Sequence, residues 1–157
     1  MSFISGVKKS EKGQSLIEVA ISLPVILLIL LGTFDFGMGL FAYSILRDAA
    51  QEGALYGSIN PGNRAEIENR ARNILPHEDD VVFSSPIDLR DTSAVTVDIK
   101  TIGAACQGVT GGKANSIQVR LIYQYPILMP FAGEFVGSDT IQLSSTATNV
   151  ILQPPCN

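Results

Sequence analysis

The chain has 157 residues, 46% of them hydrophobic and 17% charged, with a net charge of −4. That length suits one ordinary domain, and the charge content falls below the roughly 25% of an average soluble domain. From Asp48 onward 12 acids outnumber 7 Lys/Arg. That balance argues against nucleic acid as a partner, because such binding is dominated by phosphate neutralisation.

The charge deficit is concentrated near the N-terminus. Lys8, Lys9 and Lys12, with Glu11 the single acid among them, precede an apolar run. Val19–Phe34 is 16 residues without a charge, and apolar character resumes after Asp35 with FGMGLFAYSIL, ending at Arg47. A helix needs roughly 20 apolar residues to cross a bilayer core. Residues 19–46, with one acid, are long enough. Asp35 then lies at the outer water boundary, against a partner, or in a tilted helix, because charge within a span is costly. The lysines mark the N-terminal side as cytoplasmic and place the C-terminal domain outside, with Arg47 as a weak opposing signal. The apolar stretch is too long for an ordinary secretory signal peptide, and no A-x-A-like site follows Phe34.

Gly13-Gln14-Ser15-Leu16-Ile17-Glu18 opens the apolar run. A carboxylate at the mouth of a membrane helix must be paired or hydrated. If the chain is cut after Gly13, Glu18 can neutralise the new α-amino group of a neighbouring subunit and set the register between packed helices. The plainer reading is a first-turn Glu favoured by the helix dipole. Gly6-Val7-Lys8-Lys9-Ser10-Glu11 has the same spacing but no apolar run behind it, so the spacing gains meaning only from lysines before and a span after.

With those residues in place, the segment from Lys8 to Gly57 resembles the TadE-like family of tight-adherence (Tad) pilus proteins. The matching elements are Gly13 to Glu18, Leu23-Pro24, Gly32, Asp35-Phe36-Gly37 and Ala49-Ala50-Gln51-Glu52-Gly53-Ala54. Val119–Thr148, with Tyr125-Pro126 and Ser145-Thr146-Ala147-Thr148, looks like the family's C-terminal end. The resemblance implies a pseudopilin or minor pilin cut by a prepilin peptidase between Gly13 and Gln14, with Glu18 as the fifth mature residue and a role in assembly. It implies other pilins and the assembly platform as partners, and no catalysis. The expected organisation is a basic leader over 1–13, a transmembrane and extended helix over 14–57, and an extracytoplasmic domain over 58–157. Glu18, Pro24 and Asp35 are the candidates for helix register and assembly.

The helical pattern continues to Gly57, so one helix from about Gln14 to Tyr56 would measure roughly 65 Å and project past the bilayer. Pro24 removes a backbone donor and should kink it. Ile59 to Asn63 reads as a turn. Arg64–Leu75 reads as a second helix ended by Pro76, with Ile67, Ala71, Ile74 and Leu75 as its apolar stripe. Arg64/Glu68, Glu66/Arg70 and Glu68/Arg72 are i, i+4 pairs expected on its solvated face. His77-Glu78-Asp79-Asp80 lacks the spaced ligands and glycine of a calcium loop, so no metal is expected.

Three segments alternate as strands: Val95, Val97 and Ile99; then Ile117, Val119, Leu121 and Tyr123; then Ile141, Leu143 and Ser145. Val81–Phe83 could add a short fourth. The expected class is therefore α+β, a long transmembrane helix followed by a small domain with one helix and an antiparallel sheet of three to four strands. The Gly-rich stretch 103–115 resembles no phosphate loop, since Gly111-Gly112-Lys113 lacks the leading Gly spacing and a following Ser/Thr, and no cofactor is expected. Tyr125–Gly137 reads as an apolar loop whose Leu128, Phe131 and Phe135 cover the sheet or meet a partner. Cys106 and Cys156 allow one bridge in an oxidising compartment, or two buried thiols in a reducing one. No nucleophile–base or paired-carboxylate spacing points to an enzyme. The alternative to a pilin-like protein is a signal-anchored binding module in which the Gly13/Glu18 pattern is accidental.

Overall fold

A computed structural model describes residues 11–73, 87–103, 114–130, 133–134 and 137–152, the first two by backbone alone. Helix α1 spans Glu11–Ile59, a single run of 49 residues with Pro24 inside it. It begins before Gln14 and ends after Tyr56, and it divides into two halves. From Gly13 to Leu31 every side chain is exposed, apolar ones such as Leu16 and Ile29 included. From Asp35 onward one face is buried, at Asp35, Ala42, Leu46, Ala49, Ala50, Gly53, Ala54 and Gly57. Those positions recur every three or four residues, the spacing of one helical stripe.

Helix α2 spans Arg64–Ala71 and packs against the distal half of α1 through Ile67 and Ala71. Asn63 caps it, its side-chain oxygen accepting from the Glu66 N–H at 3.2 Å. The helix stops short of the expected Leu75. Asn73 adopts φ 55°, a left-handed conformation that terminates helices, so the end precedes Pro76. Ile74, Leu75 and Pro76 lie outside the described residues, as do His77–Asp80, Val81–Phe83, Cys106 and Cys156.

Three strands, β1 (Val95–Ile102), β2 (Ser116–Pro126) and β3 (Thr140–Val150), form an antiparallel sheet in the order β1-β2-β3. The register opposes Val97 to Leu121 and Ile99 to Val119, and on the other side Val119 to Ala147 and Leu121 to Ser145. Ile117, Val119 and Leu121 are fully buried on the face that meets α1. The small residues of the α1 stripe let the sheet approach. Each fully buried Leu or Ile in this core contributes about 1.5–3 kcal/mol. Strand β2 extends two residues further than expected, through Tyr125 and Pro126. Pro126 is tolerated because β1 begins opposite Tyr123, at Val95, which leaves no β1 partner for a donor at 126.

Two glycines show how tight the contact is. A Cβ on Gly53 would lie 2.9 Å from the Ala71 Cβ and 3.3 Å from the Ile67 carbonyl oxygen. One on Gly57 would lie 2.8 Å from Ile117 Cδ1, the far end of a side chain that can turn. Gly53→Ala should therefore lose about 1–3 kcal/mol to overpacking, more than the roughly 1 kcal/mol of helix propensity it gains. Gly57→Ala should cost less. Urea unfolding of the detergent-solubilised full chain checks the order, and a lower midpoint for Gly57→Ala than for Gly53→Ala would contradict this packing.

Candidate functional site

The boundary between the bare and packed halves of α1 is occupied by Asp35. It is 8% exposed, although it sits in an otherwise apolar stretch. Its Oδ2 accepts the backbone N–H of Leu128 at 2.9 Å and that of Met129 at 2.9 Å. Its Oδ1 accepts the Tyr125 hydroxyl at 3.0 Å, and the same hydroxyl lies 3.2 Å from the Asp35 carbonyl oxygen. The carboxylate is thus satisfied within the chain rather than hydrated, by groups 90 to 94 positions away in sequence. Hydrogen bonds to a charged group contribute about 1.5–3 kcal/mol each.

Local sequence explains the geometry. Tyr125 stands on β2 opposite Ile141 of β3, with its ring edge-on to Tyr123 at 6.4 Å. Gly39, one turn beyond Asp35, leaves room for the Tyr125 ring, since a Cβ there would lie 4.0 Å from Tyr125 Cε1. Gly32, one turn before Asp35, receives Met129, whose sulfur would lie 3.3 Å from a Cβ at that position. The turn itself is closed by the Ile127 N–H donating to the Asp139 carbonyl at 3.0 Å. Burial first, then the hydrogen bond to Asp35 and its charge, push the Tyr125 phenol up to about 12. The phenol therefore stays a donor across the physiological range. A carboxylate that accepts from these donors holds structure together rather than performing chemistry on a substrate.

The other candidate residues are strung along the bare half of α1. Gly13 lies in the first turns, and among the described residues nothing lies within 4 Å of where a Cβ would be. Gln14, Glu18 and Pro24 are exposed, and they do not meet Asp35. The segment 13–59 is long and apolar enough to cross a membrane, and its most apolar 18 residues are unburied. Among the described residues no group of three or more His, Cys, Asp or Glu gathers as a metal site.

Sequence reasoning missed Arg72, expected on a solvated face. Its side chain is 6% exposed and turns inward at the end of α2. Nη1 donates to the Leu89 carbonyl at 2.8 Å and Nη2 to the Val95 carbonyl at 3.2 Å, while Nε pairs with Glu68 at 2.8 Å. Arg70 follows the expectation, pairing with Glu66 at 3.2 Å and lying 5.4 Å from the Tyr56 ring centroid. Spacing of charges reveals a possible pair, not whether the helix end tucks one member under a neighbouring strand.

No curated protein and no solved structure matches this chain. The family model described as "TadE-like protein" matches residues 13–55, which run from Gly13 through the bare half of α1, past Asp35, and into the packed stripe. Over that segment the chain is TadE-like.

Proposed function

We propose that this chain is a pilin-like subunit of a Tad pilus system, a minor pilin or pseudopilin that acts in assembly, priming or tip structure. The observation that carries this reading is the TadE-like match over 13–55, which begins at the glycine of the proposed cleavage site. In this reading a prepilin peptidase cuts between Gly13 and Gln14. Residues Gln14 to about Phe34 span the cytoplasmic membrane once, with the N-terminus inside and the sheet domain outside. Other pilins pack against the exposed apolar face of α1, and Glu18 meets a neighbour's new α-amino group. The assembly platform then moves the subunit toward the fibre.

Two structural facts support the assignment of roles at the N-terminal end. Among the described residues nothing would meet a Cβ at Gly13, so their packing does not require a glycine there. Glu18 is exposed on the bare half of α1, available to another chain. The deciding measurement is the N-terminal residue of the protein recovered from membranes, with and without the host's prepilin peptidase. A peptidase-dependent start at Gln14, abolished by Gly13→Leu without loss of membrane insertion, is the expected result. An intact leader in both hosts would refute processing and leave a signal-anchored binding module.

A further inference from the structure

The loop that Asp35 holds is apolar at the level where the bare helix ends. Leu128 is 61% exposed and Pro130 is exposed beside it. Their level along α1 is fixed twice, by the Leu128 and Met129 N–H bonds to Asp35 and by Met129 reaching Gly32 one turn toward the N-terminus. The bare helix from Gly13 to Phe34 is about 30 Å long, the thickness of a hydrocarbon core. If that half spans the bilayer, the outer boundary of the hydrocarbon falls at Gly32 to Phe36. The exposed rings of Phe34 and Phe36 lie in the same layer.

We propose that residues 127–130 form a second membrane contact, an interfacial foot that rests Leu128, Met129 and Pro130 in the headgroup–acyl boundary of the outer leaflet. The inference rests on α1 spanning the membrane, as proposed above. Asp35 makes the contact possible by satisfying loop N–H groups that would otherwise be stranded at the edge of lipid. Glu134 and Asp139 are exposed on the same connection. Their acidity would disfavour anionic headgroups as an attractive force, so the contact is apolar and depends little on salt. The foot and the helix together fix the tilt of the sheet domain over the membrane, where a single helix would leave it free to lean.

The chain has no Trp, so single tryptophans report without background. Three full-chain variants, Ile26→Trp, Leu128→Trp and Leu152→Trp, are reconstituted sparsely in phosphatidylcholine vesicles brominated at shallow or deep acyl positions. Ile26 lies mid-span, and Leu152 lies at the distal end of α1, its N–H donating to the Ser58 carbonyl. Leu128→Trp should lose emission at least about twofold in shallow-brominated vesicles, more than in deep ones, as expected for groups seated about 5–10 Å into the interface. Ile26→Trp should be quenched most by deep bromines, and Leu152→Trp by neither. Quenching of Ile26→Trp with none at Leu128→Trp overturns the foot while leaving the span intact. A blue-shifted but unquenched Leu128→Trp also overturns it, placing protein rather than lipid on the loop. Loss of quenching at Ile26→Trp removes the span, and the foot with it.

Discussion

Arg72→Met should lower the stability of the sheet domain by about 2–4 kcal/mol, whereas Glu68→Gln, on the other end of the same ion pair, should change it by less than about 1 kcal/mol. The asymmetry follows from exposure. Arg72 is 6% exposed and Glu68 is 43% exposed, so the pair itself is solvent-screened. Arg72 owes its importance to the carbonyls of Leu89 and Val95, which it reaches from the end of α2. Methionine fills much of the volume but donates nothing, and leaves those acceptors without their donors. Asp91 lies close by, its carboxyl held below the ordinary range chiefly by the Ser93 hydroxyl, and it closes the turn into β1. Loosening Arg72 should therefore release the entry to β1 first. Urea unfolding of the detergent-solubilised full chain gives the two stabilities, and hydrogen exchange at the Val95 and Val97 amides gives the site. Equal, small effects from both variants would mean that the buried guanidinium contacts carry no net stability.

Features that depend on local periodicity were readable before any coordinates. The alternation at Val95, Val97 and Ile99 and at Ile117, Val119 and Leu121 marks faces that the register sets against one another. The apolar run after Gly13 marks a helix that no described element covers up to Leu31. What could not be read depends on distant pairing. An acid at position 35 has to find donors somewhere, and the residue type says so, but the donors are the Tyr125 hydroxyl and the N–H groups of Leu128 and Met129. No short-range pattern connects α1 to a turn that arrives after two strands. Backbone donors carry no sequence signature at all. Arg72 belongs to the same class, since Glu68 one turn earlier gives it a plausible solvated role and nothing local shows the strand beneath it. The end of α2 differs from the sequence expectation for another reason. Pro76 is a strong stop signal, and it masked the weaker one at Asn73, whose left-handed backbone ends the helix first.

These distant contacts make α1 more than an anchor. Its distal half is the spine of the sheet core, and Asp35 closes the end of that core nearest the bare half of the helix. A pull on the bare half is thus transmitted into the sheet through packed side chains and a bonded loop rather than through a slack linker. In the proposed pilus role, the orientation of the sheet domain would be set by the same helix that packs against neighbouring subunits.

Asp35→Ala should test that coupling with the largest local effect. Removing the carboxylate takes the acceptor from the Leu128 and Met129 N–H groups and from the Tyr125 hydroxyl, at a cost of about 3–5 kcal/mol. The loss should be local, because Leu46 of α1, Ile67 of α2 and Ile117 and Leu121 of β2 are fully buried in the core and hold the sheet without it. Hydrogen exchange at Leu128 and Met129 should accelerate by at least about 100-fold, the equivalent of roughly 2.7 kcal/mol, while exchange at Val119 and Leu121 changes far less. Asp35→Asn can set its amide oxygen in the place of Oδ2 and keep both loop donors, with the N–H₂ facing the Tyr125 hydroxyl, but it loses the charge that strengthens those bonds, so it should fall between Ala and wild type. Tyr125→Phe removes the hydroxyl and leaves both loop bonds to Oδ2 intact, and should cost about 1 kcal/mol with little change in loop exchange. The order Ala, then Asn, then Phe identifies the two backbone bonds as the main hold on the loop. Unchanged exchange at Leu128 and Met129 in Asp35→Ala, together with a loss of pilus assembly, would instead make Asp35 a contact between subunits, and its bonds to the 127–130 loop would have no part in holding the domain to its helix.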